Sequence, residues 1–140
     1  MSLVPFPKAD PFVPCPCGSN KTYGTCCGPF HAGAKRPATA EQLMRSRYCA
    51  FVFGNAAYLA DTVPAENAGN YDAKSITRQK TQWTGLEIVS TEAGGLFDQT
   101  GYVEFIARFR EKGRDGAHHE KSRFIRQNGK WLYVDGEFPG

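Results

Sequence analysis

The sequence predicts an α+β chain that begins with a small metal knuckle, and three observations predict it. Four of the five cysteines fall within the fourteen residues from Cys15 to Gly28. Apolar residues then recur at helical spacing between Thr39 and Thr62. After Gly85 the apolar period shortens to two, in segments separated by glycine-bearing turns. Helices first and an antiparallel meander afterwards give α+β rather than alternating α/β.

The elements follow in chain order. Residues 1–14 carry prolines at 5, 7, 11 and 14 and are expected to be extended or disordered. They lack the apolar run of a secretory signal, so a reducing, cytoplasmic location is expected. Next comes Cys15-Pro-Cys17, then eight residues, then Cys26-Cys27. Thiolates are soft ligands, and a zinc ion takes four of them tetrahedrally at about 2.3 Å. Gly18 and Gly28 follow each pair and let backbone N–H groups turn toward the sulfurs. Two disulfides, or a vicinal Cys26–Cys27 disulfide, are the competing readings, and a reducing compartment favours metal over both. A closed quartet leaves no open position for water, so the metal is expected to be structural zinc.

Pro29 to Ala38 reads as a linker with Gly33 and Pro37 as breakers. Thr39-Ala-Glu-Gln42 matches a capping box. Met44, Tyr48, Phe51 and Val52 then mark one face of a helix ending near Gly54. A short helix is expected over Ala56–Thr62, ended by Pro64, and a polar one over Asp72–Trp83 with Ile76 and Trp83 on one side. Leu86–Thr91 reads as a strand, and so does Tyr102–Arg110, with Val103, Phe105, Ala107 and Phe109 on one face. A loop over Lys112–Gly116, a strand over Ala117–Gln127, a type I′ turn at Asn128-Gly129 and a strand over Lys130–Asp135 complete the chain. Residues 39–140 have their own capped helix and strands and are expected to fold without zinc, so that chelation unfolds the knuckle alone.

The segment C-P-C-G-S-N-K-T-Y-G-T-C-C-G resembles the SEC-C motif, known from the C-terminus of the preprotein translocase motor SecA. Carried over residue by residue, the resemblance makes Cys15, Cys17, Cys26 and Cys27 the metal ligands. Leu43-Met-Arg-Ser-Arg-Tyr48, His118-His-Glu-Lys-Ser-Arg-Phe124 and Trp131-Leu-Tyr-Val-Asp-Gly136 are similar to the small bacterial YchJ-like proteins. These join a SEC-C knuckle to a nuclear-transport-factor-2-like domain, in which a curved antiparallel sheet wraps helices into a cone. The implied division is an N-terminus of residues 1–14, a zinc knuckle and linker of 15–38, and a cone domain of 39–140. In SecA such a knuckle touches a chaperone and lipid headgroups, so the resemblance implies a protein partner. Exposed sheets in this fold often dimerise, which makes a homodimer through the sheet an expectation.

Composition narrows the partners further. The formal charge is +3, and Lys8, Lys21, Lys35 and Arg36 against Asp10 account for all of it. Four thiolates on one zinc nearly cancel that surplus, and no basic stripe of nucleic-acid type exists. No apolar run is long enough to span a membrane. The alternative to a binding role through the knuckle is a small-molecule site or enzyme in the cone, and fold alone does not decide between them. The expected pocket groups are Glu104, His119, Arg123 and Asp135, with His119 and Arg123 facing inward. Against that stands a solvated face of cross-strand ion pairs. Arg45 and Arg47 read as solvated or paired helix arginines, and Cys49 as a small core residue outside the quartet.

Overall fold

Residues 10–72, 74, 76 and 81–139 are described in the computed structural model. A 3₁₀ turn at Tyr23–Thr25 closes the cysteine segment, and a short helix α1 (Gly28–His31) follows with Pro29 in its first turn. The expected linker therefore starts one helical turn later, because the Cys27 carbonyl already accepts from the His31 N–H at 3.1 Å. Helix α2 (Ala40–Phe53) starts on the Thr39 cap, whose side chain accepts from the Gln42 N–H at 3.1 Å. Gln42 Oε1 reaches back to the Ala38 N–H at 2.8 Å. The orphan Ala40 N–H donates to Gly94 O in the loop between the first two strands. Gly54, at φ 70°, ends α2 in the left-handed region. Helix α3 (Ala56–Asp61) begins on the Asn55 cap, and a 3₁₀ segment (Ala65–Asn70) follows it.

The sheet is an antiparallel meander in the order β1 (Gln82–Ala93), β2 (Thr100–Glu111), β3 (Arg114–Gln127), β4 (Lys130–Glu137). Both tight hairpins are two-residue turns with positive φ at each position, Lys112-Gly113 and Asn128-Gly129. The first is tighter than the loop expected over 112–116. Gly116 sits in β3 opposite Phe109, and a Cβ there would lie 2.6 Å from the phenyl ring. Bulges between Trp83 and Gly85, Ile88 and Ser90, and Arg123 and Phe124 bend the sheet around the helices.

Of the helix expected over Asp72–Trp83, residues 73, 75 and 77–80 lie outside the described residues. Its end is corrected: Trp83 belongs to β1, pairs with Phe109 and meets that ring edge-on at 5.5 Å. Helix α2 packs on the inner face of the sheet, where Leu43, Met44 and Tyr48 share a core with Val103, Phe105, Ala107, Phe124 and Trp131. Cys15, Cys17, Cys27 and Cys49 lie in that same core. The knuckle is thus packed against the core of residues 39–140.

Candidate functional site

Two chemically distinct places flank α2. In the first, Cys15, Cys17, Cys26 and Cys27 bring their sulfurs within 4.8 Å of one another. Cys17 and Cys26 Sγ are 3.6 Å apart, and Cys26 and Cys27 Sγ 4.0 Å. A tetrahedron with metal–sulfur bonds of about 2.3 Å has edges of about 3.8 Å, so this donor set fits a four-coordinate metal ion. Gly18, at φ 79°, makes the reversal after the first pair. Gly28 accommodates Tyr23, since a Cβ there would lie 2.8 Å from the Tyr23 carbonyl. Ser19 Oγ lies 3.1 Å from Cys26 Sγ, the outer-shell hydrogen bond a thiolate ligand needs. Without metal, hydrogen bonding to Cys15 pulls the Cys17 thiol down and pushes the Cys27 thiol up.

Three tethers hold the cluster on α2. Arg45 donates from Nη1 to Cys17 O at 2.6 Å and from Nε to Glu41 at 3.0 Å. Burial lowers its pKa, but Glu41 and Cys17 outweigh that and leave it raised, which places a fixed cation beside an anionic cluster. His31 Nε2 lies 2.8 Å from the carbonyl of Ser46, so that nitrogen carries the proton and Nδ1 accepts from Tyr23 OH at 2.6 Å. The third tether is Cys49, whose sulfur lies 3.5 Å from Cys15 Sγ. Cys49 is the small core residue expected from sequence, and it stays outside the quartet. The contact across 34 residues is what spacing did not show, since α2 brings Cys49 against the cluster. Tyr23 is buried edge-on to Phe53 at 5.0 Å.

The second place is a cavity of about 250 Å³ between α2 and the sheet. Met44, Phe51, Trp83, Phe105 and Phe124 wall it, and Arg47, His118, Glu120, Ser122 and Tyr133 supply its polar groups. The buried Glu120 carboxylate accepts from His118 Nε2 at 2.7 Å, Ser122 Oγ at 2.7 Å and Tyr133 OH at 2.8 Å. Gly136 lies against that carboxylate, where no side chain fits. Tyr133 is pushed up by burial and by its bond to Glu120. Arg47 is buried and its pKa is lowered by desolvation.

The four residues expected in the pocket lie on the other face of the sheet. His119 pairs with Glu104 at 2.6 Å, and Arg123 holds Asp135 in a bidentate bond at 3.0 and 2.9 Å. These pairs are distinct, and the side chains of His119 and Asp135 are 36% and 59% exposed. The inward orientation expected for His119 and Arg123 is therefore corrected. In β3 the inward residues are His118, Glu120, Ser122 and Phe124, opposite Ala107, Phe105, Val103 and Gly101. Phe124 carried the signal for this parity, since a large aromatic two, four and six residues away from three polar side chains puts all of them on its own face. Arg47 and Trp83 also line the cavity, and neither was assigned to it from sequence.

A SEC-C knuckle followed by a nuclear-transport-factor-2-like domain is the class this fold and site define. Residues 13–29 match the SEC-C motif, and residues 39–136 match the family model of the YchJ middle NTF2-like domain. A UPF0225 protein of Streptomyces coelicolor is 49% identical over 129 residues, covering 91% of this chain and 98% of the relative. A UPF0225 protein of Geobacter sulfurreducens is 42% identical over 124 residues, covering 87% and 77%. The solution structure of a SEC-C motif containing protein from Rhodopseudomonas palustris superposes with a TM-score of 0.80 at 36% identity, covering 90% of this chain and 98% of that one. A crystal structure of a SEC-C motif containing protein from Psychrobacter arcticus gives 0.77 at 30% identity, covering 93% and 85%. The chain belongs to this YchJ-like, UPF0225 family of SEC-C proteins. No helix among the described residues is long and apolar enough to cross a membrane.

Proposed function

We propose that the chain is a zinc-binding accessory protein in which one zinc ion, held by Cys15, Cys17, Cys26 and Cys27, fixes a docking surface for a protein partner. The closed four-sulfur cluster carries this reading, because four protein thiolates satisfy a zinc ion and leave no position for a reacting water. Five free thiols suit a reducing compartment such as the cytoplasm. The docking surface is the outer rim of the knuckle, where Phe12 is 84% exposed. Backbone pairing of Val13 O with the Tyr23 N–H at 2.9 Å, and the bridge between Pro14 and Thr22, hold Phe12 in place. An exposed aromatic on a backbone pinned in this way is an anchor of the kind protein interfaces use. Metal analysis should return one zinc per chain. Affinity capture should then lose the same partner with Phe12→Ser, which keeps the metal, and with Cys26→Ser/Cys27→Ser, which loses it. A partner retained by both variants would remove the knuckle from the interface.

A second reading places a small ligand in the cone, and the Glu120–His118 pair inside an aromatic cavity favours it. The two readings use opposite sides of α2 and are compatible.

A further inference from the structure

The cavity restricts the chemistry of what enters it, and Arg47 is the starting point. Its Nη1 donates to Leu59 O and Thr62 Oγ1 at 2.9 and 2.6 Å, and its Nη2 donates to Tyr71 OH at 2.9 Å. The rings of Tyr71 and Tyr133 lie 5.2 and 4.9 Å from the guanidinium carbon. All these partners are neutral, and no carboxylate among the described residues forms an ion pair with Arg47. Its Nε–H and second Nη2–H carry no hydrogen bond among the described residues. A cation taken out of water without an opposite charge is costly, and the group that best complements a guanidinium fork is a carboxylate. The protein supplies the positive half of that pair and leaves the negative half open.

The walls set the rest of the ligand. Phe51, Trp83 and Phe105 offer flat aromatic surfaces, which favour a ring stacked or edge-on. A volume of about 250 Å³ falls just below the range of roughly 300–1,000 Å³ usual for ligand pockets, so it holds one ring with a short substituent. Glu120 fixes the charge count. Its carboxylate already accepts from three donors within the cavity, and a second ligand anion would meet it at low dielectric. Trp83 adds an unused donor, because its Nε1–H is buried without a hydrogen-bond partner among the described residues.

We propose that the cone binds a single-ring aromatic monocarboxylate, with its carboxylate on the unused N–H groups of Arg47 and its ring between Phe51, Trp83 and Phe105. This rests on the second reading above, that a small ligand occupies the cone.

The zinc-loaded full chain, ¹⁵N-labelled, tests both when titrated with benzoate, benzamide and terephthalate while its two indole N–H signals are followed. Trp131 is the internal control, because its Nε1 donates to Ala38 O at 3.1 Å and it does not line the cavity. Benzoate should move the Trp83 signal saturably and leave Trp131 in place, with benzamide and terephthalate at least about tenfold weaker. Arg47→Gln should weaken benzoate by at least about tenfold. Ala107→Leu, which removes no polar group and fills the cavity, should abolish binding. If Arg47→Gln does not fold, the benzoate-to-benzamide ratio alone decides the charge and Ala107→Leu decides the place. Benzamide or terephthalate binding as well as benzoate overturns the monocarboxylate while leaving a cone ligand standing. Silence of Trp83 toward all three probes, or benzoate binding unchanged in Ala107→Leu, overturns the inference together with the cone reading.

Discussion

On one side of α2 a cluster of sulfurs is packed shut, and on the other an aromatic cavity stays open. Arg45, Cys49 and Phe53, at i, i+4 and i+8, face the knuckle, touching Cys17 O, Cys15 Sγ and the Tyr23 ring. Met44, Arg47, Tyr48 and Phe51 face the cavity. Each side buries charge or potential charge, but the knuckle clusters four thiols that could hold one metal ion, whereas the cone leaves Arg47 and Trp83 Nε1 with donors unused among the described residues. The difference teaches that the knuckle's chemistry completes the fold and the cone's chemistry is available to something else.

That contrast orders the effects of substitution. The largest is expected at Cys17, which is fully buried at the centre of the cluster. Cys17→Ser should abolish metal binding and destabilise the whole chain by about 4 kcal/mol or more, the range associated with loss of a structural metal. Denaturant unfolding with and without metal checks this. A fully folded, equally stable Cys17→Ser protein would make the cluster dispensable.

Next comes a paired test of closed against open packing. Cys49→Leu adds bulk where sulfurs already lie 3.5 Å apart and should cost about 1–3 kcal/mol. Ala107→Leu adds bulk beside the cavity and should cost under about 1 kcal/mol. Equal costs would mean that the cavity is no looser than the knuckle.

A smaller effect is expected from pH at the knuckle tether. Burial holds the His31 pKa below its usual 6.5, outweighing the hydrogen bond to the Ser46 carbonyl that raises it. As pH falls, the unfolded chain therefore takes up this proton before the folded one does. The His31 contribution is full above about pH 6.5 and is lost as pH drops toward the lower folded-state value. Ligand protonation weakens the metal site over an overlapping range, so the comparison is with His31→Gln, which shares that loss. The natural protein should lose more stability than the variant between pH 7 and pH 5, and parallel profiles would remove His31 from the account.

The smallest effects belong to the outer face of the sheet. His119→Ala should cost under about 1 kcal/mol, as exposed ion pairs do. Arg123→Ala should leave the unfolding midpoint unchanged, although Arg123 holds the Asp135 pKa down. A large loss at either would show that this face is covered in solution, which is the expected signature of a homodimer through the sheet.

The sequence made the architecture legible wherever local chemistry decides it. The Thr39–Gln42 box, Gly54 and Asn128-Gly129 each fix a boundary through their own backbone, and the alternation in β2 puts Phe105 inside without reference to other strands. Four thiols within fourteen residues likewise carry their ligand chemistry locally. What stayed hidden depends on contacts far apart in the chain. The burial of α2 on more than one face conceals the Arg45–Cys49–Phe53 stripe behind the Met44–Tyr48–Phe51 one. The inward parity of β3 was misread because His119 and Arg123 look like a supporting pair, when Phe124 already placed His118 and Glu120 inside. Cys49 comes to the cluster from 34 residues beyond Cys15, and no spacing rule reaches that far.

The central claim is that the knuckle and the cone domain form one unit fastened by a metal ion. Thermal unfolding followed at once by far-ultraviolet circular dichroism and by a dye that reports released zinc tests it most directly. The account predicts that both signals change together in a single transition, which moves to lower temperature as a whole when chelator is added. Zinc released well below the transition, with the dichroism of residues 39–140 unaltered, would contradict it.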